Sequence, residues 1–261
     1  VDGWNGPGKG RIYTFEMPEA AQASGVTALF KEGFKQRSSD ELARLLQHAD
    51  YRVRQRAQLA LVDQQASDTL QQIALSDAAT RPRLHAIWGL GMLQRRGVKT
   101  NQALTLISLL NDSDPEVRTQ AAAMLGDARI IAGGPALIDL LGKGTPREQA
   151  VAAIALGKLK TDSSIPALVT LLERNADADP VVRHAAVMGL IGCATTEQLV
   201  ALSSNPSAAV RVGLVLALRR QNSPEIARFL NDGEDRIVEE AARAIHDEPI
   251  VEALPQLAKL A

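Results

Sequence analysis

One short pattern recurs along this chain and constrains its fold more than any other feature of the sequence. The two clearest copies are residues 114–118, Asp-Pro-Glu-Val-Arg, and residues 179–183, Asp-Pro-Val-Val-Arg, each followed by two alanines and a leucine. Six copies can be aligned on their arginine, and successive arginines are 29, 35, 29, 36 and 28 residues apart. These arginines are Arg54, Arg83, Arg118, Arg147, Arg183 and Arg211. Self-similarity at about 30 residues is typical of a solenoid.

Each repeat unit has the sequence features of two helices. Aspartate followed by proline supplies an N-cap and a first helical residue, since the carboxylate accepts an orphan N–H and proline has none to satisfy. Ahead of this helix lies a segment with apolar residues at spacings of three and four, as in residues 165–172. A seventh copy at 235–238 carries Val238 in place of the arginine. The sequence therefore predicts an all-α fold, an α-solenoid of about seven helix pairs over residues 38–261.

The composition excludes several classes of protein. No run of eighteen apolar residues occurs, so we expect no membrane insertion. The 29 basic and 30 acidic side chains lack the basic excess of a general nucleic-acid binder. Cys193, the single cysteine, excludes a disulfide framework and a cysteine-rich metal site.

The repeated phrase Asp-Pro-x-Val-Arg-x-x-Ala-Ala-x-x-Leu-Gly resembles the signature of HEAT repeats, in the short bacterial form also seen in phycobilisome-lyase-like proteins. The resemblance covers roughly residues 38–261 and is strongest in the third and fifth units. It implies that the second helix of each pair lines the concave side of the solenoid and the first helix lines the convex side.

The first 37 residues have a different composition. Four glycines and two aromatics among residues 1–13 predict a turn-rich loop that leads into a short extended segment at 11–15. We therefore expect a non-helical N-terminal segment, with a boundary between 1–37 and 38–261. Because the chain begins inside this glycine-rich stretch, we also expect it to be a piece of a longer protein.

Gly3-Trp4 followed by residues 8–13 resembles the closing stretch of a β-propeller in large secreted dehydrogenase-like proteins of planctomycete and verrucomicrobial type. Those proteins place a glucose/sorbosone-dehydrogenase-like propeller before HEAT repeats and often a c-type cytochrome domain after them. The resemblance implies these two domains as partners and a periplasmic or secreted location. It supplies no catalytic or haem residue, because residues 193–197 are not the Cys-x-x-Cys-His that attaches haem.

The six arginines have two interpretations. They could form a basic groove for a phosphate or a carboxylate. Alternatively, each could reach the capping aspartate or the carbonyls of its own or the next inter-helix turn, which would make the six a structural ladder. We favour the structural ladder, because HEAT proteins of unrelated function share the pattern.

The exposed face of the second helices is the candidate binding face. We expect it at the positions two before and one, two and five after each arginine. The candidate residues are Arg52, Arg56, Arg81, His85, Trp88, Gln120, Gln149 and His184. The four histidines lie in different repeats without a His-Glu pair, so no metal site, catalytic residue or cofactor is predicted.

Charge also changes along the chain. Residues 1–99 carry 14 basic and 10 acidic side chains, whereas residues 100–261 carry 15 and 20. A polar array with one exposed tryptophan and a charge gradient suits a protein partner, although a merely solvated surface has the same composition. We therefore predict a non-catalytic interaction or spacer module of a larger dehydrogenase-like protein. The alternatives are a free-standing scaffold that regulates or assembles a partner and, less well supported, a HEAT-like DNA glycosylase.

Overall fold

The structure, a computed structural model, describes residues 21–76, 79–98 and 101–260, which contain helices, turns and loops but no strand. The α-helices are α1 (Ala21–Glu32), α2 (Ser39–Leu45), α3 (Tyr51–Asp63), α4 (Ser67–Leu75), α5 (Thr80–Arg95), α6 (Gln102–Ser108), α7 (Pro115–Asp127), α8 (Gly134–Lys143), α9 (Pro146–Leu159), α10 (Ile165–Asn175), α11 (Pro180–Cys193), α12 (Thr196–Ala201), α13 (Ala208–Arg220), α14 (Asp235–Asp247) and α15 (Leu254–Leu257). Short 3-10 helices cover Leu109–Asn111, Ile131–Gly133, Asp162–Ser164, Pro224–Asn231 and Val251–Ala253. None of the described helices is long and apolar enough to cross a bilayer.

These elements form a solenoid of seven helix pairs in the described part of the chain. The pairs are α2/α3, α4/α5, α6/α7, α8/α9, α10/α11, α12/α13 and the 3-10 helix Pro224–Asn231 with α14. The prediction of an all-α solenoid with about seven pairs is confirmed.

Side-chain caps fix where most of the second helices begin. The Asp114 carboxylate accepts from the backbone N–H of Glu116 at the start of α7, and Asp179 does the same for Val181 and Val182 at the start of α11. Thr145 begins α9 with a full capping box. Replacing such a cap by alanine costs about 1 kcal/mol, so these residues set the frame of each repeat.

The second helices of neighbouring pairs approach each other closely. A Cβ built on Gly126 of α7 would lie 2.7 Å from Cα of Ala155 in α9, and one on Gly192 of α11 would overlap the carbonyl of Gly157 in α9. Glycine is therefore required where these backbones touch. The second helices of neighbouring pairs pack more closely than the first helices, and from this closer packing we infer that they line the inner, concave side.

Helix α1 corrects one prediction. It lies inside residues 1–37, which we predicted to be non-helical, and that prediction is wrong for residues 21–32. The prediction extended the glycine-rich composition of residues 1–13 too far, because Val26 and Leu29 have helical spacing and pack against the core. The extended segment at 11–15 and the propeller-like residues 3–13 lie outside the described residues.

Candidate functional site

Four of the five arginines at the fourth position of the second helices bind the loop that precedes their own helix. In three pairs the Nη1 group donates to two successive loop carbonyls. The bonds run from Arg54 to His48 and Ala49 (both 2.7 Å), from Arg118 to Asp112 and Ser113 (2.6 and 3.1 Å), and from Arg211 to Asn205 and Pro206 (2.8 and 3.1 Å). Each of these arginines thus satisfies carbonyls that the turn between two helices leaves without partners.

Several of the same arginines also contact an acidic residue of the following pair. Arg118 Nε donates to Oε1 of Glu148 at 2.6 Å, and Arg211 forms two bonds of 2.8 and 3.0 Å with Asp232. Arg83 forms a similar two-pronged pair with Asp112 and also donates to the carbonyl of Ala74. Burial alone would raise the pKa of Asp232, but the hydrogen bonds from Arg211 outweigh it and lower that pKa. We call Arg54, Arg83, Arg118, Arg183 and Arg211 the arginine ladder.

Arg183 differs from the other members of the ladder. Its guanidinium pairs with Asp177 in the loop that precedes α11. Asp177 also pairs with Arg236 of α14, two helix pairs further along the chain. Burial raises the pKa of Asp177, yet the bonds from both arginines bring it below its ordinary value. This carboxylate therefore links the fifth and seventh helix pairs.

Arg147 does not belong to the ladder, and its prediction is wrong. Pro146 is the first residue of α9, so Arg147 is the second residue and Gln149 occupies the fourth position. The Arg147 side chain is 65% exposed, and its Nη2 donates to Oε1 of Glu116 in the preceding pair at 3.0 Å. The alignment on the arginine failed here because α9 begins at Pro146, directly before the arginine, whereas α5 begins two residues before Pro82.

His85 was predicted on the exposed face, but its side chain is buried. Arg54 Nε donates to its Nε2 at 3.2 Å, so the ring proton sits on Nδ1 and is donated to Gln58 Oε1 at 2.8 Å. Burial, followed by the charges of Arg54 and Arg81, lowers the pKa of His85 to about 4. His85 is therefore a neutral, buried link between α3 and α5.

A half-buried polar chain crosses α5, α7 and α9. Trp88 Nε1 donates to Oε1 of Gln120 at 2.9 Å, and Gln120 Nε2 donates to Oε1 of Glu116 at 2.8 Å. The same Glu116 oxygen accepts the bond from Arg147. The structure thus brings together Trp88 and Gln120, two predicted residues of the binding face, through contacts between repeats.

The remaining predicted residues occupy separate places. Arg52 pairs with the N-cap Asp50 at 2.6 Å and lowers the pKa of that carboxyl to about 2. Arg56 and Arg81 are exposed on α3 and α5, and Gln149 is half-buried on α9. His184 is exposed at the edge of a cleft between α11 and α13.

The ninth residues of the second helices form an apolar row along the concave face. These residues, which we call the apolar row, are Leu59, Trp88, Ala123, Ile154, Met188 and Leu216. Ile154 and Met188 are each 37% exposed. In α9 the predicted position, five residues after Arg147, is Ala152, which is fully buried, and the exposed residue is Ile154. Counting nine residues onward from the N-cap residue of each second helix identifies all six members of the row.

The cleft between α11 and α13 has a volume of about 530 Å³. Its lining includes Arg183, His184, Met188, Leu216, Arg219 and Arg220. Cationic and apolar side chains thus line the same depression.

The described residues hold no group of three histidine, cysteine or acidic side chains that could bind a metal ion. Cys193 is half-buried and its Sγ–H donates to the carbonyl of Leu156 at 3.3 Å. Burial raises the pKa of this thiol, so it is protonated at neutral pH and is a poor nucleophile.

Comparison with known proteins agrees with this geometry. The family model of HEAT repeats matches residues 67–143 and 134–196. The chain carries a HEAT-repeat domain. The residues that match the family model include the two clearest copies of the repeat phrase, at 114–118 and 179–183. A search of curated proteins found no match.

Three solved structures are similar to the HEAT domain. YibA of Escherichia coli has a TM-score of 0.52 and 18% identity over 94% of this chain and 100% of its own. An engineered protein has a TM-score of 0.51 and 20% identity over 91% of this chain and 74% of its own. The complex of CpcE and CpcF of phycocyanin lyase from Nostoc sp. PCC7120 has a TM-score of 0.48 and 20% identity over 87% of this chain and 96% of its own. The first two support the fold alone.

Proposed function

We propose that this HEAT domain is a non-catalytic scaffold that binds a protein partner along its concave face. The apolar row is the observation that carries the proposal. It offers one apolar side chain per helix pair over six successive pairs, and solvated helices ordinarily place polar residues on such a face. An extended segment of a partner can contact successive members of the row.

The surroundings of the apolar row also favour a bound protein. Trp88 contributes a large ring whose N–H is already bonded to Gln120, so little entropy is lost when a partner packs against it. Exposed charges border the row, with Arg52, Arg56 and Arg81 near its start. This arrangement of an apolar centre and a charged rim is typical of protein interfaces.

Peptide display on the purified chain, followed by anisotropy measurements on the enriched peptides, tests the proposal. We expect Ile154→Glu to abolish binding, because it places a charge in the centre of the apolar row. Leu104→Glu on α6 is the matched control, since Leu104 is 67% exposed and lies on a first helix. Failure to enrich any peptide, or peptides whose binding ignores Ile154→Glu, would refute the scaffold function.

A finer part of the proposal concerns the parent protein. We propose that the domain works inside a larger secreted, dehydrogenase-like protein, between a glucose/sorbosone-dehydrogenase-like propeller and a c-type cytochrome domain. Only the sequence of residues 3–13 supports this context. The purified chain should then show no Soret band after dithionite reduction and no dye-linked oxidation of sugars or alcohols. Turnover that survives repurification would refute the non-catalytic assignment.

A further inference from the structure

The cleft between α11 and α13 contains basic side chains that do not belong to the arginine ladder. Arg220 and His184 line it, and neither forms a hydrogen bond or an ion pair with any described residue. Arg219 lies 3.6 Å from Asp247 and 4.0 Å from Glu240, which is longer than the 2.7–2.9 Å or so of a charge-assisted hydrogen bond. Arg219 and Arg220 can therefore turn toward a ligand at small cost.

The balance of charge in the cleft is positive. Its lining holds three guanidinium groups against one carboxylate, that of Glu248, while the carboxylates of Glu240 and Asp247 lie outside the lining at 4.0 and 3.6 Å from Arg219. Arg183 is already held by Asp177, which leaves Arg219 and Arg220 as the available cations. This cationic site lies in the half of the chain, residues 100–261, in which acidic side chains outnumber basic ones by 20 to 15.

Apolar side chains of both helices also line the cleft. Val187 and Met188 of α11 and Leu216 of α13 line it, and the last two belong to the apolar row. The volume of about 530 Å³ is within the usual range of ligand pockets, roughly 300–1,000 Å³. A complementary ligand thus carries a carboxylate beside an apolar side chain.

We propose that this cleft is the specificity site of the binding face and takes an acidic segment of the partner protein. The inference rests on the proposed scaffold function. Carboxylates of the segment pair with Arg219 and Arg220, and a neighbouring apolar side chain packs on Met188 and Leu216. A nucleic acid fits less well, because it needs a basic stripe and Glu239 and Glu240 occupy the adjoining helix α14.

The test uses the peptides enriched on the full chain, measured by anisotropy against Arg219→Gln/Arg220→Gln. We expect affinity to fall on the order of tenfold, because charge-assisted bonds to two guanidiniums are lost. Arg129→Gln/Arg228→Gln is the matched control, since it removes the same charge outside the cleft and should change affinity by less than about twofold. Unaltered melting temperatures show that the variants are folded.

A second arm exchanges the acidic residues of the enriched peptides for their amides. This exchange should weaken binding to the unsubstituted chain and have little further effect on the double variant. Peptides that depend on Ile154 but contain no acidic residue, or that bind the double variant equally well, overturn the inference and leave the scaffold function standing. A labelled single-stranded oligonucleotide that binds more tightly than the acidic peptides overturns it as well.

Discussion

Substituting Arg118 and Arg147 separately by alanine tests the distinction between a ladder arginine and a surface arginine. Arg118→Ala removes the bond to Glu148 and two bonds to loop carbonyls. It leaves the Glu148 carboxylate, whose side chain is only 1% exposed, without its cation. Arg147→Ala removes one bond to Glu116 at the surface.

The expected magnitudes differ several-fold. Breaking a buried ion pair from one side costs about 3–5 kcal/mol, because the other charge is left unpaired. The Arg118 side chain is 22% exposed and Glu148 keeps a 2.7 Å bond from the backbone N–H of Thr145, so we expect about 2–3 kcal/mol. For the exposed pair of Arg147 we expect less than about 0.5 kcal/mol.

Urea and thermal denaturation followed by circular dichroism measure both variants. At neutral pH we expect Arg118→Ala to lower the melting temperature by about 5 °C and Arg147→Ala to change it little. Burial raises the pKa of Glu148, but hydrogen bonds from Arg118 and Thr145 outweigh it and hold that pKa below 4.5. The stabilisation by this pair is therefore complete above about pH 4.5 and lost as pH falls further.

The destabilisation by Arg118→Ala should accordingly shrink in acid. Equal losses for the two variants would refute the distinction between them. A loss for Arg118→Ala that persists unchanged at low pH would show that the carbonyl bonds, and not Glu148, account for the effect.

Three further predictions concern other contacts. In urea titrations, Gly192→Ala should lower the free energy of unfolding by about 2–3 kcal/mol, because the added Cβ would overlap the backbone of Gly157. Gly142→Ala should raise it by about 0.5 kcal/mol, because nothing lies near the added Cβ and alanine favours the helix. His85 has a pKa of about 4 in the folded chain and 6.5 in the unfolded chain, so between these pH values only the unfolded chain binds the proton. The free energy of unfolding should therefore fall as pH drops from 6.5 to about 4, while NMR still shows a neutral His85. Asp177→Asn should cost about 1–2 kcal/mol in urea, since two arginines lose their shared carboxylate.

The helix pairs could be predicted from the sequence because their signals are local. A cap such as Asp114 and a proline at the first helical position act within a few residues. The same locality explains the failure at Arg147, where the proline and not the arginine fixes the start of α9. The sequence did not predict helix α1 because no copy of the repeat phrase occurs in residues 21–32.

The contacts of the candidate site could not be predicted in the same way. Trp88 and Gln120 are 32 residues apart, and Arg211 and Asp232 are 21 apart. Whether such residues meet depends on the rotation from one helix pair to the next, which the sequence of a single repeat does not specify. The sequence therefore predicts His85 on the surface, although it is buried and bonded to two side chains of α3.

Position within the second helix separates the arginines that hold the solenoid together from those that are available for binding. Fourth-position arginines such as Arg118 face the preceding loop and the next pair, so their donors are used within the protein. Arg220, the last residue of α13, has no described partner and faces the cleft. Because all these residues are arginine, composition and net charge cannot distinguish them. The cap that fixes the helix start does distinguish them, because it places Arg118 at the fourth position of α7 and Arg220 at the last position of α13.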